Sequence, residues 1–337
     1  MNAENYGLDD FQIKTRTEDT KTKYLNRAEQ LIKRAKKELN IADNDNLDVR
    51  QLVIWLNEHK PNINAKSWRQ YKSSVLYYLE QHSDQQAAIE AIEYLKDITS
   101  KGAATYTEKT SSLKLKKISF NDWQTLDKFL QNKNNKWYEE LRHWLRASII
   151  TGLRPIEWKN AVLFKHNGEP ALKIQNAKHT NGRGNGPTRT ILLKYVSVDD
   201  LASIKTHLNN VRTFSGMDEY DFFYQGCSIA LYKACRKCWP RRKKHITLYS
   251  TRHQFSANAK SSSLSRPEIA ALMGHAVDET ATAHYGRKQA GNEKIGVSPV
   301  DQEVKSVKRV TIDDFKKHIK DNEKGSGGKG QSGVSKT

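Results

Sequence analysis

The residues best equipped for chemistry in this 337-residue chain gather between Thr247 and Arg287. That stretch, TLYSTRHQFSANAKSSSLSRPEIAALMGHAVDETATAHYGR, holds Tyr249, Arg252, His253, His275 and Tyr285. A guanidinium offers a planar fork of donors to phosphate oxygens. An imidazole donates or accepts near neutral pH, and a phenol attacks phosphorus once its proton is gone. These types together fit a site that binds a phosphodiester and attacks it.

The segments between them read as short helices that bring the side chains together. Ser265 is an N-cap, Pro267 an early proline and Glu268 an acidic first-turn residue. Ile269, Leu272 and Met273 lie on one face, and Gly274 stops the helix just before His275. A second helical segment, Glu279 to His284, is expected to return Tyr285 toward the same place.

Composition points to the partner. Lys+Arg 57 against Asp+Glu 38 gives a net charge of +19. A surplus of this size on a chain with no membrane-length apolar run favours a polyanion, and nucleic acid is the first candidate. Solubility alone is the bland alternative. The N-terminus, MNAENYGLDD, lacks a signal-peptide pattern, and three cysteines argue against a disulfide framework. The expectation is a cytoplasmic, nucleoid-associated protein with no membrane partner. Cys235, Cys238 and His245 invite a zinc reading. Cys227 is the only other thiol and stands on the same apparent helix, so no second ligand pair is evident. Neither a metal nor a cofactor is expected.

Read in order, residues 1–20 form a flexible arm and residues 21–98 a helical bundle. Its first helix carries Leu25, Ala28, Leu31, Ala35 and Leu39 at helical spacing. Asp48, Asn64 and Asp84 open three more. Their inward stripes are Val49, Leu52, Val53 and Leu56, then Trp68, Tyr71, Val75, Tyr78 and Leu79, then Ala88, Ile89, Ile92 and Leu95. Lys66, Arg69 and Lys72 flank the Trp68 stripe and are candidate DNA-backbone contacts. Residues 99–117, rich in Ser, Thr and Lys, read as a linker.

Residues 118–290 read as a second domain. Ser119 starts one helix, and a further helix bearing Leu141, Trp144, Leu145, Ser148 and Ile149 ends at Thr151-Gly152. Arg154 then sits at a helix junction, where a side chain and neighbouring amides can both address an anion. Three short β-type runs follow, Ala161–Phe164, Ala171–Gln175 and Arg189–Leu193. The basic, glycine-rich loop KHTNGRGNGP, which includes Lys178 and Arg183, joins the last two as a hairpin. Helices are expected over Asp199–Val211 and Ser228–Trp239, then a basic loop with Arg241, Arg242 and Lys243. Residues 291–324 read as a connector without core-forming periodicity plus one amphipathic helix, Ile312 to Ile319. Residues 325–337 form a low-complexity tail. The fold class is mainly α with a small antiparallel β-sheet: an N-terminal helical bundle followed by an α+β domain.

At Arg154 the motifs align with a known family. TGLRPIEW resembles the first arginine motif of the tyrosine recombinases, the phage-integrase family. YSTRH resembles the second motif, and LMGH followed by HYGR resembles the third-motif histidine and the nucleophilic tyrosine. The resemblance covers roughly residues 115–290; for residues 20–100 it rests only on a basic helical bundle in the place of the family's core-binding domain. It implies a site-specific DNA recombinase or integrase, encoded in a prokaryote, virus or mobile element. Such an enzyme cuts and rejoins DNA through a 3′-phosphotyrosyl link, with no metal or nucleotide cofactor, as a homotetramer on two paired sites. Arg154 and Arg252 match the two phosphate-binding arginines, His275 the third-motif histidine and Tyr285 the nucleophile. Lys178 matches the hairpin lysine that protonates the departing 5′ oxygen, with Lys173, Arg183 and Arg189 also on the hairpin.

Two departures stand out. Tyr249 occupies the usual histidine position, where a phenol can donate to phosphate but is a poor base. Tyr285 also stands ten positions after His275 (285 − 275), one more than is usual in the family. Two rivals stay open: a type IB topoisomerase relaxing DNA, and an inactive DNA-binding accessory protein.

Overall fold

Capping residues set the helix starts. The computed structural model describes residues 16–81, 86–105, 114–177, 179, 184–214, 216–280 and 285–310. They fall into two compact units, residues 1–109 and 110–337.

In the first unit Thr17 caps α1 (Glu18–Glu38), Asp48 caps α2 (Val49–Glu58) and Asn64 caps α3 (Ala65–Glu80). Each side-chain oxygen accepts from an amide of the first turn that has no helical partner. The fourth helix, α4, spans Gln86–Asp97; its expected cap, Asp84, lies outside the described residues. Leu31, Leu52, Trp55, Leu56, Trp68, Val75, Leu79 and Leu95 form the core. Two expected core positions turn outward: Leu39 and Ile89 are each 41% exposed. Leu39 is the C-cap of α1, where the helix has already ended.

In the second unit Ser119 caps α5 (Phe120–Gln131), and α6 (Tyr138–Thr151) ends on Gly152 in the left-handed region. After a 3-10 turn, Pro155–Asn160, come β1 (Val162–His166), β2 (Glu169–Gln175) and β3 (Thr188–Leu192). Then follow α7 (Val198–Arg212), α8 (Met217–Cys238), α9 (Ser250–Ser261) and α10 (Arg266–Met273). Helix α8 starts well before the expected Ser228, because Tyr220, Phe223 and Cys227 continue its buried stripe. The core packs Trp144, Trp158, Leu172, Ile191, Phe223, Phe255 and Leu272 around α6, α9 and the sheet.

The sheet is an antiparallel meander in the order β1-β2-β3-β4. Its last strand, β4 (Ser298–Pro299), comes from the segment expected to be a bare connector, and α11 (Asp301–Lys305) follows it. Val297 is buried, and Val304 and Val307 pack against Ala270 and Ala271 of α10. Lys308 N donates to Ala276 O at 2.9 Å and Asp278 N to Lys308 O at 3.1 Å. Residues 297–310 therefore belong to the same packed body as the second domain, past the expected limit at 290. The few valines join existing elements rather than forming one of their own, so no periodicity announces them. The expected helix Ile312–Ile319 and most of Glu279–His284 lie outside the described residues.

One core residue carries a pH consequence. His207 of α7 is wholly buried, stacked on Trp144 at 5.0 Å and edge-on to Trp158 at 4.6 Å, with neither ring nitrogen hydrogen-bonded. Burial drives its pKa down to about 3. The unfolded chain takes up this proton near pH 6.5 while the folded one refuses it. The stability is therefore whole above pH 6.5 and drains away as the pH falls toward 3, by about 2 kcal/mol at pH 5. His207→Leu is expected to shift the acid-unfolding midpoint, followed by circular dichroism, to lower pH. An unchanged midpoint would show that other groups set it.

Candidate active site

The site is built where α6 ends, α9 begins and α10 ends. Gly152 must be glycine: its φ is +67°, and a Cβ there would overlap the Phe255 ring. The turn delivers Arg154 as N-cap of the 3-10 helix, whose Glu157 reaches back to it. Glu157 Oε2 accepts from Arg154 N at 2.8 Å, and Oε1 accepts from Arg154 Nη1 at 2.5 Å. Arg189 Nη2 donates to Oε2 at 2.8 Å, and Arg252 Nη1 lies 3.9 Å from it. One buried carboxylate thus sits among three guanidiniums. Burial alone would raise its pKa, but Arg189, Arg252 and Arg154 outweigh that and hold the carboxyl well below the usual range.

Arg252, on the first turns of α9, is wholly buried. It donates to Gly152 O at 2.5 Å, to Met273 O at 2.6 Å and to His275 Nε2 at 3.1 Å. A guanidinium only donates, so Nε2 accepts and the neutral ring carries its proton on Nδ1. Burial and then the charges of Arg252 and Arg154 push His275 far below its ordinary pKa, so the ring is neutral. His275 Nδ1, Arg154 Nε and Arg252 Nε are buried donors with no acceptor. Unspent donors of this kind suit an incoming anion.

Tyr285 lies over this group. Its ring centroid is 5.2 Å from Arg252 Cζ, 5.2 Å from the His275 ring and 5.3 Å from the His253 ring. The next residue, Gly286, sits where a Cβ would collide with His253 O, so the chain passes tightly against α9. The Tyr249 and Tyr285 hydroxyls are 3.1 Å apart. Burial raises the Tyr249 pKa. For Tyr285 burial also raises it, but the charge of Arg252, the bond from Tyr249 and the charge of Arg154 overcome this, bringing it to about 8. Tyr249 therefore keeps its proton and donates to Tyr285, of which roughly a tenth is phenolate at pH 7. His253 is held neutral by burial and by Lys116, with a pKa of about 4.

Of the expected catalytic residues, Arg154, Tyr249, Arg252, His275 and Tyr285 meet in one site. Lys178 lies outside the described residues, as does Arg183. Among the expected DNA contacts Lys66, Arg69, Arg241 and Lys243 are exposed. Lys72 is not free: its ammonium donates to Lys96 O and Ile98 O, each at 2.7 Å, and closes the end of α4. Arg242 is likewise committed, to Asp122 at 2.8 Å and over the Trp239 ring at 4.3 Å. Cys235 Sγ donates to Ile246 O at 3.8 Å, and no cluster of three metal-ligating side chains occurs among the described residues.

Sequence reasoning passed over Glu157, although it stands inside TGLRPIEW three positions after Arg154. It also passed over a cavity of about 530 Å³ beside Tyr249, lined by Lys114, Tyr232, Arg236, Lys243 and His245 among others. The exposed residues Ile229, Tyr232 and Arg236 of α8, spaced three and four apart, were the signal for that face.

No protein-family model and no curated protein matches the sequence. Among solved structures the chain is similar to a lambda integrase dimer bound to a COC′ core site (TM-score 0.43, 16% identity, 84% of this chain and 94% of that one). It is similar to the Tn1549 transposon integrase in complex with transposon right end DNA (0.45, 13%, 92% and 95%). It is also similar to the XerH site-specific recombinase bound to palindromic difH substrate in a post-cleavage complex (0.41, 15%, 80% and 85%).

Proposed function

We propose that this chain is a tyrosine recombinase that cuts and rejoins duplex DNA through Tyr285. The observation that carries the reading is the half-buried Tyr285 phenol beside Arg252 and His275, over buried donors that have no acceptor of their own. A phosphodiester placed there meets Arg154 and Arg252 at its non-bridging oxygens and the Nδ1–H of His275. Tyr285 Oη forms a bond to phosphorus while the bond from phosphorus to the 5′ oxygen breaks. The 5′ oxygen takes up a proton, which the motif resemblance assigns to Lys178. The energy of the broken bond is kept in the phosphotyrosyl link, so a new 5′-hydroxyl can reverse the step without an external source.

The surplus of basic residues supplies backbone affinity that falls steeply with salt. The outer face of α8 and the cavity beside Tyr249 form part of the duplex interface. Strand exchange between two sites by four protomers belongs to the same proposal.

The test is covalent capture. The protein is mixed with nicked duplexes of random sequence, from which the cleaved fragment diffuses away, and denatured complexes are recovered and sequenced. Recovery of a defined sequence, undiminished by EDTA, supports the proposal. Binding without any covalent product would reduce the protein to an accessory factor, and capture of every duplex alike would favour a topoisomerase.

Tyr249 has its own test. Tyr249→Phe removes the bond that favours the Tyr285 phenolate, so single-turnover cleavage is expected to slow by about three- to tenfold at pH 7, with the difference shrinking above pH 9. An unchanged pH profile would show that Tyr249 is packing only.

A further inference from the structure

The chain that follows Tyr285 is held to α9 by a set of contacts that the chemistry above does not use. Between Tyr285 and Glu293 the one regular element is the 3-10 turn Lys288–Ala290, so contacts with other elements must fix its course. Gln254 and Asn258, one turn apart on α9, are each 1% exposed. Gln254 Nε2 donates to Asn258 Oδ1 at 2.8 Å, to Ala290 O at 2.8 Å and to Asn292 Oδ1 at 3.1 Å. Asn258 Oδ1 also accepts from Asn292 N at 3.0 Å. Ile118, just ahead of α5, closes the set. Its N donates to Gln254 Oε1 at 2.8 Å, and its O accepts from Asn292 Nδ2 at 2.9 Å. Nearer the tyrosine, Lys260 Nζ donates to Gly286 O at 2.8 Å. Two glycines let the chain lie this close: a Cβ on Gly286 would come within 2.2 Å of His253 O, and one on Gly291 within 2.2 Å of Ser261 Oγ.

We propose that Gln254, Asn258, Lys260 and Asn292 form a clasp that fixes the chain after Tyr285 to α9, the helix that carries Arg252, and so positions the nucleophile over the phosphate site. This inference rests on the proposed function. Its physical basis is a shared reference: Arg252 stands two residues before Gln254, so one helix sets both the phosphate-binding guanidinium and the chain that presents the phenol. A buried carboxamide left unpaired is costly, so Gln254 and Asn258 hold the chain through groups that need it. The four act through Tyr285 and are positioning residues.

The test reads the place of Tyr285 with and without DNA. Asn292→Ala opens the clasp, and Gly286→Ala pushes the chain off α9. Both keep the charge of the protein and leave the residues of α9 unchanged, and Asn292 is exposed, so that variant is expected to fold. In the free protein, tyrosine labelled with carbon-13 at Cζ is titrated by nuclear magnetic resonance, with Tyr285→Phe identifying the signal. In wild type the Tyr285 phenol is expected to titrate near 8, held there chiefly by Arg252. In each variant the midpoint is expected to move up toward the ordinary value near 10, because the phenol leaves that charge. On the duplex recovered by covalent capture, each variant is expected to attach at least about tenfold more slowly at pH 7, since small misplacements of a reacting group cost up to about 10²-fold. Slower attachment with an unmoved midpoint would overturn the proposal, as the clasp would then serve the fold or DNA binding. A moved midpoint with wild-type attachment, or no change in either, would overturn it as well. If wild type forms no covalent complex, the proposed function falls, while a moved midpoint still upholds the clasp as what places Tyr285.

Discussion

Arg154→Ala is expected to cut single-turnover cleavage by at least about a hundred-fold, the scale of losing one preorganised donor to a developing oxyanion. Arg154 is the cleaner arginine to remove. It shares Glu157 with two other cations, and its other role is a short local cap. Arg252→Ala is expected to lose at least as much activity, but it also strips acceptors at Gly152 O, Met273 O and His275 Nε2 of their donor. Unpaired buried groups cost about 1–3 kcal/mol each, so that variant should also melt earlier. Arg252→Lys keeps a charge and serves as its control. Cleavage by Arg154→Ala within tenfold of wild type, in a protein that melts normally, would remove Arg154 from the phosphate site.

Tyr285→Phe has the largest expected effect. It deletes one hydroxyl and should abolish covalent attachment, while leaving DNA binding within a few-fold because the ring still packs against Arg252 and His275. The pH dependence of the wild type follows from the same residue. With its pKa near 8, Tyr285 gains phenolate about tenfold per unit up to pH 7 and then levels off above pH 8. Cleavage should rise and flatten in step. A flat profile from pH 6 to 9 would mean that ionisation of Tyr285 is not what limits the rate.

Much of the local chemistry was legible in the sequence, though not Thr17, which caps α1 at Glu18 inside the stretch expected to be a flexible arm, 1–20. Ser119, Asn64, Asp48 and Ser265 cap helices because each side chain meets amides two or three positions on. Gly152 and Gly274 end helices because they adopt positive φ. Pairings across the chain were not legible. Glu157 earns its place through Arg189 and Arg252, which reach it only once β3 and α9 have packed. Lys72 and Arg242 read as free cations because nothing local reveals the carbonyls and the Asp122 carboxylate that occupy them. Val297, Val304 and Val307 look like scattered apolar residues until β3 and α10 supply the surfaces they complete. That packing bears on any test of the C-terminus. Truncation after Lys305 would remove Val307 and the Lys308 bond to Ala276, disturbing the His275 loop directly.

The central claim is that Tyr285 itself becomes bonded to DNA. The direct measurement is mass spectrometry of the captured complex after nuclease and protease digestion, reading which residue carries the nucleotide remnant. The account predicts a 3′-phosphonucleotide on Tyr285 and on no other residue. A remnant on Tyr249 or any other side chain would contradict it.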